Sequence, residues 1–302
     1  MTGATGFVGR VFTRRLLAEG YHVRALTRRP DQSLDHQAMI QIEGSLESPR
    51  ALDELCSQCD CLVHLAGAIA GRSEQEFVRT NAVGTRNLTD AMERTNPGCR
   101  ILYVSSLAAR APMLSNYAYS KHLAEKIVES SHLEWLILRP PAIYGPTDPA
   151  LAPLWKTLAR GWLIQTGSDQ ARFSLLHVDD LCAALCQLIE STWPCAQTRC
   201  LDDGRPNGYA WQDVREIAAR TGQRRVRTLK LPSKPLCLLA FLNEKASHIS
   251  GHLPMLSLGK VRELTHHDWV CSDNISDILP EWRPTRALGE ALTELPGWNI
   301  GV

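Results

Sequence analysis

At 302 residues, 44% hydrophobic and 22% charged, the chain is long enough for one large core or for a core and a smaller lobe. Its 33 basic and 32 acidic residues leave a formal net charge of +1, so no global field pulls it toward nucleic acid or an anionic membrane; an anion must be held locally. No apolar run approaches the roughly 20 residues that span a bilayer, and no charged-then-apolar leader opens the chain, so the expected location is cytoplasmic. Ten cysteines then read as reduced thiols. Their one cluster, Cys56, Cys59 and Cys61 in "CSQCDC", lacks the second pair that a four-ligand set needs, and no metal is expected there.

The chain opens "MTGATGFVGR", with Gly3, Gly6 and Gly9 spaced G-x-x-G-x-x-G ahead of a segment of helical period. That spacing suits a loop baring its backbone N–H groups to a pyrophosphate at a helix N-terminus. Such a loop hangs from the end of a buried parallel strand, and only Met1 and Thr2 precede it. The first strand is therefore expected to be missing from this sequence, with the natural start upstream of Met1 or another segment filling the gap.

Further on, "HVRALT" (22–27), "CLVHLA" (61–66), "RILYVS" (100–105) and "EWLILR" (134–139) read as buried strands. Between them, "FVGRVFTRRLLAEG", "EQEFVRTNAVGTRNLTDAMERT" and "YAYSKHLAEKIVESS" repeat apolar residues at three- and four-residue steps. This alternation predicts an α/β fold, a doubly wound parallel sheet of Rossmann type, with the glycine loop at the carboxyl edge. A strand "RFSLLH" and a helix from Asp179 are expected to return to that sheet. The rest, with Pro and Trp scattered through it, reads as a smaller C-terminal capping lobe. The expected division is a cofactor-binding unit over 1–147, joined again by 172–190, and a mainly substrate-binding lobe over 148–302.

The end of the second strand selects the cofactor. A carboxylate there would bind a ribose 2′-OH, but "LTRRP" offers Thr27, Arg28 and Arg29. Two guanidiniums match a 2′-phosphate, so NADP(H) is preferred and NAD(H) stays possible; Arg29 also reads as a solvated surface charge.

Tyr117 and Lys121 in "YAYSK" stand four apart and share one helix face. An ammonium there would lower the pKa of the phenol, letting it exchange a proton with an alcohol or carbonyl oxygen while hydride moves to or from a nicotinamide. Ser105 and Ser106 close the strand just upstream. Ser106, further beyond the strand, is the chosen partner of the substrate oxygen, against the plainer reading of a loop serine satisfying backbone groups.

The ordered set "TGATGFVG", "HLAG", "NAVGT", "YVSS", "YAYSK", "LRPPAIYGP" and "LLHVDDL" resembles the extended short-chain dehydrogenase/reductase family, also called the epimerase/dehydratase family, up to about residue 190. The resemblance implies that Gly3, Gly6 and Gly9 hold the pyrophosphate, that Thr5 and Phe7 also bind the cofactor, and that Ala66 and Gly67 line it. It implies Tyr117 as acid/base, Lys121 as holder of the nicotinamide ribose, Ser106 as orienter of the substrate oxygen, and Asn81 in a proton relay or else as a helix cap. Asp179 and Asp180 read as a helix N-cap and its neighbour. Ser45 stands where the family often has an acid. It also implies a homodimer through the helices near 74–95 and 116–131.

"LRPPAIYGP" lacks the asparagine usual in nucleotide-sugar enzymes, which points to ketone reduction or secondary-alcohol oxidation. Leu151, Leu154, Trp155, Trp162, Leu163 and "PLCLLAFL" read as an apolar lid for a lipophilic small molecule or as the lobe's own core. Arg160 and Arg172 as a diphosphate clamp keep a nucleotide-sugar epimerase or dehydratase in play. A non-catalytic NADP(H)-binding scaffold, like the dehydrogenase-like accessory subunit of respiratory complex I, is the third reading.

Overall fold

The computed structural model describes residues 1–250, 253 and 256–298. Helix α1 (Phe7–Ala18) starts directly on the glycine loop, and β1 (Val23–Thr27), β2 (Met39–Glu43), α2 (Pro49–Cys56) and β3 (Cys61–His64) follow. The next helical segment is one rod with a widened middle: α3 (Glu74–Phe77), a π-helical stretch over Val78–Val83, and α4 (Gly84–Thr95). Then come β4 (Arg100–Val104), α5 (Asn116–Glu129), β5 (Trp135–Arg139), β6 (Ala142–Tyr144), α6 (Ala152–Ala159), β7 (Trp162–Thr166), β8 (Arg172–Phe173), β9 (Leu175–His177) and α7 (Val178–Glu190). The chain continues through β10 (Gln197–Cys200), α8 (Trp211–Thr221), β11 (Arg227–Leu231), α9 (Ser233–Ser250), α10 (Leu258–Thr265), β12 (Asp268–Trp269) and α11 (Leu288–Ala291).

The main sheet runs β2–β1 on one side and β3–β4–β5–β10 on the other, all parallel. Met1 and Thr2 stand in the gap at the carboxyl end. Thr2 bridges both Leu26 and His64, its N–H donates to Val63 at 3.1 Å, and the Met1 carbonyl accepts from Leu26 at 3.0 Å.

Both faces of the sheet are apolar, as parallel strands covered on two sides require. Val63, Leu102, Val104, Leu136 and Leu138 pack with Phe12 and Leu16 of α1 and Leu181 and Leu185 of α7. The alternate residues Leu62, Ile101, Tyr103 and Ile137 pack with Leu52, Leu88, Met92, Ala124 and Val128 of α2, α4 and α5.

One expectation is corrected. The strand "RFSLLH" does not enter the main sheet: β8 pairs with β12 and β9 with β6, and Ser174 between them donates to Asp202 at 2.6 Å. The strand added to the sheet edge is β10, whose polar sequence "QTRC" gives no apolar signal. Helix α7 does pack on the sheet, beside α1.

Beyond the sheet, β7–β11, β8–β12 and β6–β9 are two-stranded. A separate core of Tyr144, Trp155, Leu158, Leu163, Val214, Leu288, Leu292 and Trp298 holds this part together, so Trp155 and Leu163 are core. Trp162 lies on the surface, 44% exposed. Helix α9 packs on α10 through Leu236, Ala240 and Val261.

Candidate active site

The glycine loop is built by close backbone approach. Gly3 takes φ +78°, where other residues are strained, and a Cβ on it would lie 2.7 Å from the Ala66 nitrogen. Gly6 N–H donates to the Gly3 carbonyl at 3.0 Å. A Cβ on Gly9 would fall 1.9 Å from that same carbonyl oxygen, so the first turn of α1 closes only on glycine. Gly6 caps α1 without a side-chain hydrogen bond, and the first turn holds no acid. Its free N–H groups and the positive helix end are thus left to an external anion. Phe7 lies against Gly145 on the far side.

At the end of β1, Thr27 is buried and its Oγ1 has no hydrogen-bond partner. Arg28 and Arg29 are exposed. Arg10, not anticipated from the sequence, ties the loop to the turn after β1: its Nε donates to the Thr5 carbonyl at 3.1 Å and its Nη1 to Ser33 at 2.6 Å, with an ion pair to Asp31. An uncapped helix start, a loop lined by backbone alone and an orphaned hydroxyl at the strand end fit a dinucleotide.

The widened π-helical turn points Asn81 inward, a common use of such turns. Its Oδ1 accepts from Ala68 N–H at 2.6 Å, and its Nδ2 donates to the Ala68 carbonyl at 3.0 Å and to Ser120 at 2.8 Å. Asn81 therefore clamps the loop after β3 to α5; it is not a helix cap. Lys121 is buried and donates to the Val104 carbonyl at 3.0 Å, its ammonium 4.4 Å from the centre of the Tyr103 ring. A Cβ on Gly67 would lie 3.2 Å from Asn81 Oδ1 and 3.8 Å from Lys121 Nζ, so the three residues meet at one point. Burial pushes Lys121 down to about 7, and Glu125, one helical turn on, partly restores its charge. Glu125 in turn holds Arg139 through two hydrogen bonds of 2.9 and 2.6 Å.

Tyr117 stands one turn before Lys121, its ring edge-on to Phe77 at 6.3 Å. Burial raises its phenol to about 12, the Ser106 hydroxyl beside it pulls the other way, and Glu263 adds to the rise. This departs from the expected lowering by Lys121, whose ammonium is taken by Val104 and Tyr103. Ser106 also caps the 3-10 turn Leu107–Arg110, accepting from Ala108 N–H at 3.2 Å. The Ser105 hydroxyl is buried without a hydrogen-bond partner.

Two contributors escaped the sequence reading. His64, in "HLAG", is fully buried between Thr2 Oγ1 at 2.6 Å and Thr85 Oγ1 at 3.0 Å, so it ties β3 to the chain start and to α4. Burial, with the Lys121 charge, holds its imidazole down at about 3. Glu263 of α10 accepts from Ser115, the N-cap of α5, and so brings the lobe against the Tyr117 helix. Asp180 binds the 285–286 backbone and Thr285 and takes no part in the site. Arg172 is paired with Asp213 at 3.5 Å.

The profile of the NAD dependent epimerase/dehydratase family matches residues 1–194. The chain belongs to this family. Among curated relatives, this epimerase/dehydratase-family chain is 36% identical over 274 residues to the "Ceramide reductase" of Caulobacter vibrioides, covering 90% of its own length and 85% of that protein. It is 25% identical over 294 residues to the "NADH-ubiquinone oxidoreductase 40 kDa subunit, mitochondrial" of Neurospora crassa, covering 95% and 73%. The solved structure described as "MoeE5 in complex with UDP-glucose and NAD" superposes with a TM-score of 0.73 at 20% identity over 99% of this chain and 97% of that one, a likeness of fold. The family member described here is thus an NAD(P)-dependent oxidoreductase/epimerase of the extended short-chain dehydrogenase/reductase type.

Proposed function

We propose that the chain is an NADP(H)-dependent reductase of a lipophilic ketone, acting through Tyr117, Ser106 and Lys121. The observation that carries this reading is the grouping on α5 of Tyr117 and, one turn later, the buried Lys121, with Ser106 capping the turn that leaves the carboxyl end of β4. A bound nicotinamide supplies the hydride. Ser106 hydrogen-bonds the substrate carbonyl oxygen, and Tyr117 gives its proton to that oxygen as negative charge grows on it. Burial keeps the phenol protonated at neutral pH, the state a proton donor to the growing alkoxide requires. Lys121 holds the nicotinamide ribose, and Asn81 supports the site by clamping the loop after β3 to α5. Gly3, Thr5, Gly6, Phe7 and Gly9 receive the pyrophosphate, and Thr27 and Arg28 the adenosine end, where a free guanidinium favours a 2′-phosphate.

The relative from Caulobacter supports a substrate whose ketone sits on a lipid chain. The ion pair of Arg172 with Asp213 weighs against a diphosphate clamp. The relative from Neurospora keeps a non-catalytic scaffold as the competing reading. Tyr117→Phe separates the two. NADPH oxidation with a hydrophobic ketone falls by on the order of a thousandfold or more while NADPH affinity stays within about twofold. Unchanged turnover in Tyr117→Phe, or no turnover of any ketone by the parent chain, sinks the reductase reading. A homodimer through the α3–α4 rod and α5 accompanies this proposal, and light scattering at micromolar concentration reads it directly.

A further inference from the structure

Helix α9 is apolar on two sides. Leu236 and Ala240 face α10, while Leu238, Leu239, Phe241 and Leu242 are between 45% and 60% exposed. Scattered surface leucines need no explanation, but four large apolar side chains within five positions form a patch. The charges on the helix are sorted in the same way. Lys234 and Lys245 are exposed, with Lys245 Nζ 5.5 Å from the centre of the Phe241 ring. The carboxylate of the helix, Glu244, is turned inward to accept from Leu258 N–H at 2.9 Å.

A face with leucines, a phenylalanine and lysines, and no acid, has the chemistry of a helix lying in a bilayer interface. Its apolar side chains enter the acyl boundary and its lysines extend to the lipid phosphates. A second copy of the same face would set lysine against lysine with no carboxylate between them. Among the described residues no helix is long and apolar enough to cross a membrane, so this one would lie on it. The helix is also joined to the site by packing. Helix α9 rests on α10, whose Gly259 lies against Ser115 and whose Glu263 accepts from Ser115, the N-cap of the helix that carries Tyr117.

We propose that the outer face of α9 docks on an anionic phospholipid bilayer and holds the Tyr117 helix close to the membrane from which a lipid ketone is drawn. The docking stands by itself; the drawing of a ketone rests on the reductase reading.

The test is co-sedimentation of the full chain with phosphatidylcholine vesicles and with vesicles also containing phosphatidylglycerol. Binding is expected to the anionic vesicles and to weaken with salt. Leu238→Ser with Leu242→Ser weakens it by on the order of a hundredfold. Lys234→Glu or Lys245→Glu weakens it by about fivefold or more each. These exposed changes leave NADPH-dependent reduction of a short, water-soluble ketone unaltered, which also shows that the variants are folded. Three results overturn the proposal: no binding to either vesicle, equal binding by the leucine variant, or a dimer that the leucine variant turns into monomer. Loss of docking with a live Tyr117-dependent turnover refutes docking alone; firm docking without any turnover refutes the reductase reading alone.

Discussion

The glycine loop and the C-terminal lobe are held in shape by different means. Around Gly3 and Gly9, backbone meets backbone, and one added carbon has nowhere to go. In the lobe, short two-stranded sheets hang on a core of Trp155, Leu163, Leu292 and Trp298, where side chains fill the space. Backbone contact tolerates almost no change, whereas side-chain packing adjusts by repacking.

That contrast breaks most sharply at Gly9. Gly9→Ala puts a carbon 1.9 Å from the Gly3 oxygen, and we expect a loss of about 4 kcal/mol or more, or no folded protein. NADPH binding should disappear with it; a variant that melts and binds like the parent would show that the loop can open. Leu292→Ala, in the fully buried lobe core, should cost about 3 kcal/mol by chemical denaturation. Below its transition it should leave NADPH affinity unchanged, and a coupled loss of affinity would mean that the loop and the lobe are one cooperative unit.

A smaller effect comes from His64. Its imidazole is held at about 3 in the folded chain and lies near about 6.5 when unfolded. Between those values the unfolded state binds more protons, so stability rises with pH and is lost on acidification. From about pH 7 to about pH 5 the loss through this group is about 2 kcal/mol. His64→Gln should flatten that part of a melting-temperature profile, and an equally steep profile would assign the acid sensitivity elsewhere. Smallest of all, Arg28→Ala should lower the preference for NADPH over NADH by about tenfold, read by fluorescence titration. An unchanged ratio would move the discrimination to Arg29 or Arg10.

The legible parts of the fold were those with a local signal. β1, β3, β4 and β5 fall within "HVRALT", "CLVHLA", "RILYVS" and "EWLILR", and the glycine spacing marks the start of α1. β2 and β10 were missed because "MIQIE" and "QTRC" are half polar, as suits outer strands that neighbours bury on fewer sides. "RFSLLH" carried the apolar signal of a sheet strand, but its backbone partners are β6 and β12. The placing of Tyr117 and Lys121 one turn apart on a helix was readable from spacing, while the inward turn of Asn81 depends on a π-helical stretch that no residue pattern announced.

The sequence by itself determined the alternation of strand and helix, the glycine loop and the Tyr117–Lys121 face, because each rests on neighbours within a few turns of chain. Only the tertiary structure decided that Lys121 spends its ammonium on Val104 and Tyr103, and that Glu263 reaches the Tyr117 helix through Ser115. These contacts join residues far apart in the chain. Their burial and charge arise from packing, which local periodicity does not encode.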